Sequence, residues 1–112
     1  MLNSVQLIGR LARDPEQRST TSGKSVATFS LAVKRAVKPG EGQDVDFFRV
    51  VAWEKQSEYV MRYLSKGRLI AVQGRLVSRK YAGSDGQARE VIEVVAESVQ
   101  GLDKPKEEAV AA

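Results

Sequence analysis

The run Phe47-Phe48-Arg49-Val50-Val51-Ala52-Trp53 alternates with the period of a β-strand and indicates a protein built on a sheet. Alternate side chains of a strand point to opposite faces, so Phe47, Arg49 and Trp53 share one face, with Val51 between them. The other face is wholly apolar and suits a core: Phe48, Val50 and Ala52. Because an unpaired arginine is costly to bury, the face that carries Arg49 is predicted to be exposed.

A second run with the same character, Arg75-Leu76-Val77-Ser78-Arg79-Lys80-Tyr81, follows downstream. Its alternation places Arg75, Arg79 and Tyr81 outward, while the apolar Leu76 points inward together with the earlier Ile70 and Val72. Flat rings can stack on unpaired bases, and cations can contact phosphates. These two faces therefore predict a single-stranded nucleic acid as the ligand.

Further strands are predicted on either side of these two runs. In chain order the five predicted strands cover residues 2–12, 25–35, 45–53, 68–81 and about 89–100. Residues 19–24 form a predicted turn, and Gly74 in the middle of a strand predicts a sharp bend. The Asp85-Gly86 pair is a strong short-range hairpin signal.

One helix is predicted, over about residues 57–66, on an apolar stripe of Val60, Tyr63 and Leu64. Ser57 is expected to cap its start and Gly67 to close its end. A single helix between strands 3 and 4 of five is the order of an OB-fold, a small Greek-key barrel. The predicted fold class is therefore an all-β, five-stranded OB-fold barrel with one short helix.

Composition excludes several other classes of protein. The chain has 112 residues, enough for one domain, and a net charge of +4 that favours an anionic partner. It has no cysteine and no histidine, which removes thiolate zinc sites and the commonest general base. No apolar run approaches the ~20 residues that span a membrane, and no secretory signal is visible. We expect no metal, no cofactor and no enzyme activity.

Several other basic residues are candidates for phosphate contact. Lys80 follows Arg79 at the mouth of the glycine-rich hairpin, where loops commonly carry function. Lys34 and Arg35 end the second predicted strand, and Lys55 follows the third. Whether these three contact phosphate stays open from the pattern alone.

Separate motifs along the chain, in the right order, resemble the bacterial single-stranded DNA-binding protein (SSB) family. They are Asn3–Leu11, Asp14–Glu16 with Arg18, Asp46–Trp53, Tyr63–Gly67, Gly74–Leu76, Arg79–Tyr81 and Glu93–Val95. The resemblance covers about residues 2–102. It implies an OB-fold that binds single-stranded DNA without sequence preference during replication, recombination and repair, as a homotetramer in the cytoplasm, associated with the nucleoid.

Residue roles follow from the same resemblance. It implies base stacking on Phe47, Trp53 and Tyr81, and subunit contacts at Phe48. Its basic contacts correspond to Arg49, Lys55, Lys66, Arg79 and Lys80. The strand faces add Arg75, and the mouth of the second hairpin, at the end of the second predicted strand, adds Lys34 and Arg35. A further stacking position, often tryptophan in the family, corresponds to Val37 here.

The C-terminus departs from the family pattern. Residues 103–112 lack the acidic tip through which many members recruit partner proteins, so we expect a short form with a disordered tail and predict no such recruitment. The domain boundaries are accordingly 1–102 and 103–112. Two alternatives remain, an OB-fold assembly factor of primosome or replication restart and a small OB-fold nuclease.

Overall fold

The computed structural model describes residues 1–36 and 44–103 as a sheet of six strands with one helix. The elements, in chain order, are β1 (Val5–Leu11), β2 (Glu16–Ser19), β3 (Ser25–Lys34), β4 (Val45–Trp53), α1 (Lys55–Tyr63), β5 (Leu69–Ala82) and β6 (Ala88–Gly101). Val37 and the tail from residue 104 lie outside the described residues. In the part of the chain described, no helix is long and apolar enough to cross a membrane.

The sheet closes on itself, which confirms the predicted barrel. Its strand order is β1-β5-β6-β4-β3-β2, and β1 also pairs with β3, so five strands form a ring. The contact between β4 and β6 is parallel, and the other strand pairs are antiparallel. The helix lies between β4 and β5, as expected.

The short strand β2 was not predicted. Glu16 to Ser19 pair with the first half of β3, whereas β1 reaches the second half at Ala32 and Leu31. The break at Asp14 and Pro15 therefore divides one edge of β3 between two strands. All four residues of β2 are exposed, so they carry no apolar alternation by which to recognise them.

The core fills the barrel from the faces that alternation predicts. Ala27 and Leu31 of β3 and Val50 of β4 are fully buried, and the second predicted strand matches β3 within one residue. Gly9 of β1 is required by close packing, because a Cβ there would lie 2.4 Å from the Ala32 carbonyl oxygen. Each fully buried valine or leucine contributes about 1.5–3 kcal/mol to folding.

The helix differs from the prediction at both ends and on its stripe. It begins at Lys55, so Ser57 is not the cap; its hydroxyl is buried and lies 2.9 Å from the Ser25 hydroxyl. It ends at Tyr63, and Gly67 instead adopts a positive φ of 90° in the following turn. Val60 and Leu64 are buried as expected, but Tyr63 is exposed.

The hairpin of β5 and β6 extends beyond the barrel. The pairing of β5 with β1 ends at Gly74, where the predicted irregularity is found as a register shift against β6. Leu76 keeps the inward parity, but the prediction that it joins the core is wrong, since it is 45% exposed beyond the end of β1. Gly86 has a positive φ of 80° in the hairpin turn that Asp85-Gly86 predicts.

Candidate nucleic-acid interface

The predicted face of β4 is exposed as a row of aromatic and basic side chains. Phe47 is 65% exposed and Trp53 40%, with Arg49 exposed between them. The opposite face behaves as expected, since Val50 and Ala52 are fully buried. Strand parity therefore separates these rings from the core.

The second predicted face continues the first across the sheet. Val51 of β4 aligns with Val95 of β6, and Val95 aligns with Arg75 of β5. Partners in register share a face, so the side chain of Arg75 lies on the same face as Val51, followed by Arg79 and Tyr81 further along β5. The structure thus brings both aromatic-basic runs onto one surface, which we call the groove face.

At the centre of this surface, two arginines converge on one carboxylate. Arg49 Nε lies 2.5 Å from Glu93 Oε2, and Arg79 Nε lies 3.0 Å from Glu93 Oε1. Hydrogen bonds from Arg79 first, and from Arg49, hold the pKa of Glu93 below its ordinary value. The carboxylate therefore stays charged at neutral pH, and the two arginines are held at fixed positions.

Arg79 also contacts the candidate stacking residue of the hairpin. Its guanidinium carbon lies 5.8 Å from the centre of the Tyr81 ring, within the range of a cation–π interaction. Tyr81 remains 44% exposed. Because the cation lies over one face of the ring, the other face is the one suited to a base.

Two cavities lie beside Arg49 on this part of the sheet. One cavity lies between Trp53, Arg79 and the β2–β3 turn, and its lining includes Arg18, Val26 and Arg49. A second is lined by Arg13, Asp14, Glu16, Thr28, Phe29, Ser30 and again Arg49. Arg49 borders both cavities.

The remaining basic candidates are distributed unevenly about the groove face. Lys34 has the parity of the groove face at the end of β3, opposite Val45. Lys55 is the exposed first residue of α1, and Lys66 is exposed in the turn after it. Lys80 alternates to the other side of the hairpin, opposite Glu90.

Arg35 is engaged elsewhere. Its Nη2 lies 2.6 Å from Asp46 Oδ1 and its Nε 3.1 Å from Oδ2, a two-point ion pair at the end of β3. This hydrogen bonding lowers the pKa of Asp46. Arg35 therefore has part of its charge compensated, and a phosphate contact there remains a prediction.

Phe48, assigned by resemblance to subunit contacts, is half-buried on the core side of β4, in register with Leu31. The stacking position Val37 lies outside the described residues. Both assignments stay predictions.

Sequence reasoning missed Glu93 and passed over Arg18 and Val26. Alternation in β6 could have placed Glu93 outward with Val91 and Val95, but its two partners come from β4 and β5, and that adjacency is not local. Val26 is buried although it has the parity of the groove face, because it lies in register with Trp53 and Arg18.

Among the described residues, no group of three or more acidic, histidine or cysteine side chains could hold a metal ion. The polar chemistry at the centre of the groove face is that of two guanidinium groups paired with one carboxylate, and further arginines and hydroxyls line the cavities beside it. It suits binding of a polyanion with flat bases.

Comparison with known proteins agrees with this surface. A family model described as the single-strand binding protein family matches residues 2–102. "Single-stranded DNA-binding protein 3" of Listeria innocua is 51% identical over 92% of this chain, and "Single-stranded DNA-binding protein 2" of Staphylococcus aureus is 52% identical over the same share. A Bacillus cereus "Single-stranded DNA-binding protein" is 51% identical over 92% of this chain.

These relatives are longer than the chain, which spans 65%, 74% and 61% of their respective lengths. A solved structure, "Plasmodium falciparum SSB complex with ssDNA", is similar with a TM-score of 0.80 and 30% identity, over 92% of this chain and 96% of that chain. The match by family model, by identity and by fold covers nearly all the described residues. The chain therefore belongs to the single-strand binding protein family.

Proposed function

We propose that the protein binds single-stranded DNA without sequence preference and protects it during replication, recombination and repair. The observation that carries the proposal is the groove face, where Phe47, Trp53 and Tyr81 share one surface with Arg49 and Arg79. The names of the relatives support it, and they do not favour an assembly factor of replication restart.

Binding of this kind divides into two physical terms. Each base stacked on an aromatic ring contributes about 1–3 kcal/mol, and this term tolerates any base because every base has a π-face. Each phosphate neutralised by a cation releases counterions, so that term weakens as salt rises, with a slope of about 0.7 per contact on a single strand. We assign the first term to Phe47, Trp53 and Tyr81.

The second term belongs to the basic side chains on and around the groove. We assign it to Lys34, Arg35, Arg49, Lys55, Lys66, Arg75, Arg79 and Lys80. Of these, Arg75 and Arg79 lie on the groove face along β5, Lys34 lies at the end of β3, and Lys80 is on the other side of the hairpin.

Titration with poly-dT, followed by tryptophan emission, tests the function directly. Trp53 is the only tryptophan of the chain, so a change in emission reports on its ring alone. We expect the emission to change on binding, and duplex DNA to bind much more weakly. Unchanged emission, or equal binding of duplex, contradicts the proposal.

A pair of variants in the same hairpin separates the two faces. Tyr81→Ala removes a ring from the groove face, whereas Ile92→Ala removes an exposed apolar side chain from the opposite face of β6. We expect Tyr81→Ala to weaken binding of dT, dA and mixed oligomers roughly alike and Ile92→Ala to leave it near the parent value. Equal losses in both variants count against the assignment.

We propose further that the protein assembles as a homotetramer. Two features support self-association: β1 pairs with β3 only at Arg10 and Leu11 among the described residues, and Ile8 of β1 is largely exposed. Phe48 is a further candidate for subunit contact. Light scattering with and without dT oligomers tests the assembly, and a monomer mass overturns it.

A further inference from the structure

Glu93 is the one charged residue that is buried among those the structure describes, at 6% exposure. It lies on β6, the strand between β5 and β4, with its side chain on the groove face. Burying a carboxylate is costly unless it is paired and hydrogen-bonded. A buried acid in the middle of a surface suited to phosphates therefore requires an explanation.

Its two partners approach from opposite sides. Arg49 comes from β4 and Arg79 from β5, and together they use both carboxylate oxygens: Arg49 Nε meets Oε2, while Arg79 meets Oε1 with Nε and Oε2 with Nη2 at 3.3 Å. One carboxylate thus links the two strands that carry the aromatic-basic runs.

These contacts leave donors on both guanidinium groups. A guanidinium has five N–H bonds. Arg49 uses only Nε toward Glu93, and Arg79 uses Nε and one N–H of Nη2. Both side chains remain about half exposed, so their outer edges are available to the groove.

The net charge of Arg49, Arg79 and Glu93 together is +1, whereas the two arginines without Glu93 would carry +2. A carboxylate held between the two guanidiniums occupies the place that an anion from solution otherwise takes. It also restricts the motion of Arg79, whose guanidinium is the cation that lies over the Tyr81 ring. The cluster therefore presents a fixed geometry with a reduced net charge.

We propose that Glu93 is a positioning residue and an internal counter-ion of the groove: it holds Arg49 and Arg79 by their inner edges and cancels one of their two charges. The inference rests on the proposed function at this same site. It means that the salt dependence of DNA binding is set partly by an acid that does not contact the DNA.

A salt titration of dT-oligomer affinity tests the counter-ion role with Glu93→Gln, which keeps the shape and removes the charge. The net charge of the cluster becomes +2, so we expect the slope of log affinity against log salt to steepen by about 0.7. Between 50 and 200 mM salt the ratio of variant to parent affinity then falls about 2.6-fold. Glu58→Gln, the same change on the exposed helix surface, is the matched control and is expected to keep the parent slope.

A second pair tests the same charge balance from the arginine side, and it removes one of the two guanidiniums that Glu93→Gln leaves without a counter-ion. Arg79→Gln lowers the net charge of the cluster to zero, and Arg79→Gln combined with Glu93→Gln returns it to +1. We expect the double variant to recover the parent slope, which a purely structural role of Glu93 does not predict. Equal slopes in the single and double variants overturn the inference.

Glu93→Asp tests positioning separately from charge. The carboxylate is kept but shortened by one methylene, so we expect the parent slope together with several-fold weaker binding. Parent affinity in this variant overturns the positioning role. If the parent protein itself does not bind dT oligomers, the proposed function fails first; if the parent binds and none of these slopes change, only the inference on Glu93 fails.

Discussion

The side chain of Asn3 pairs with the backbone of Leu76 as a neighbouring strand residue would. Its amide nitrogen donates to the Leu76 carbonyl at 2.8 Å, and its amide oxygen accepts from the Leu76 N–H at 2.9 Å. Leu76 lies just past Gly74, where β1 ceases to pair with β5. Asn3 therefore extends the support of β1 to the base of the hairpin that carries Arg79 and Tyr81.

Replacing Asn3 by alanine is expected to loosen the base of this hairpin. Each hydrogen bond contributes about 0.5–1.5 kcal/mol net, so the loss of both in Asn3→Ala should lower the free energy of unfolding by about 1–3 kcal/mol. Hydrogen exchange of the Leu76 amide should accelerate. Ser4→Ala, at the exposed neighbouring position, is the control; unchanged Leu76 exchange in Asn3→Ala counts against this role.

Glu54, directly after Trp53, adopts a backbone conformation that suits glycine. Its φ of 52° and ψ of −112° make it the one non-glycine with a positive φ among the described residues. Such strain costs on the order of 1–3 kcal/mol, more than the roughly 0.5–1 kcal/mol that glycine adds in entropy. We expect Glu54→Gly to raise the free energy of unfolding by about 1 kcal/mol and the Tm by roughly 4–8 °C.

The matched control for this change is Glu58→Gly, the same substitution within α1. There the backbone is helical, so glycine should lower stability by about 1 kcal/mol relative to a good helix former. Thermal unfolding of both variants gives the comparison. A loss of stability at Glu54 similar to that at Glu58 contradicts the presence of relievable strain.

The period of the apolar pattern was enough to predict the two faces of β4, and the order of the elements along the chain predicted the barrel. Phe47, Arg49 and Trp53 could be placed from alternation alone because the direction of a side chain along one strand is a local property. The same holds for the hairpin at Asp85-Gly86, where the turn chemistry is also local.

What the sequence did not reveal depends on contacts between distant segments. Ser57 resembles a helix cap, but its hydroxyl contacts Ser25 across the fold, and the helix starts two residues earlier. Leu76 keeps the predicted parity but extends beyond the barrel. The pairing of Glu93 with two arginines requires that β6 lie between β4 and β5, which no local pattern states.

Stability should depend on acid through Glu93. Its folded-state pKa is lowered, chiefly by the hydrogen bond from Arg79, so its charged form stabilises the fold above the unfolded-state pKa of about 4.3. That contribution is lost as pH falls below this value and through the folded-state pKa. Urea unfolding between pH 7 and pH 3 should show a steeper acid loss in the parent than in Glu93→Gln. Parallel profiles would show that Glu93 does not contribute.

Arg75 and Arg68 are both arginines of the β5 region, and their surroundings predict opposite consequences of removal. Arg75 lies exposed on the groove face, and it takes part in none of the ion pairs found among the described residues. Arg68 is only 11% exposed and binds Asp103 through Nε at 2.7 Å and the Tyr63 carbonyl through Nη1 at 2.8 Å.

Arg75→Gln is accordingly expected to reduce the salt slope of single-stranded DNA binding by about 0.7 while changing stability by less than about 0.5 kcal/mol. Arg68→Gln should lower the free energy of unfolding by about 2 kcal/mol, since hydrogen bonds to charged groups are the stronger ones, and should leave the slope unchanged. Urea unfolding and salt titration of both variants measure the two quantities. If Arg68→Gln flattens the slope as much as Arg75→Gln, the path of the DNA extends past the groove face to the turn after α1.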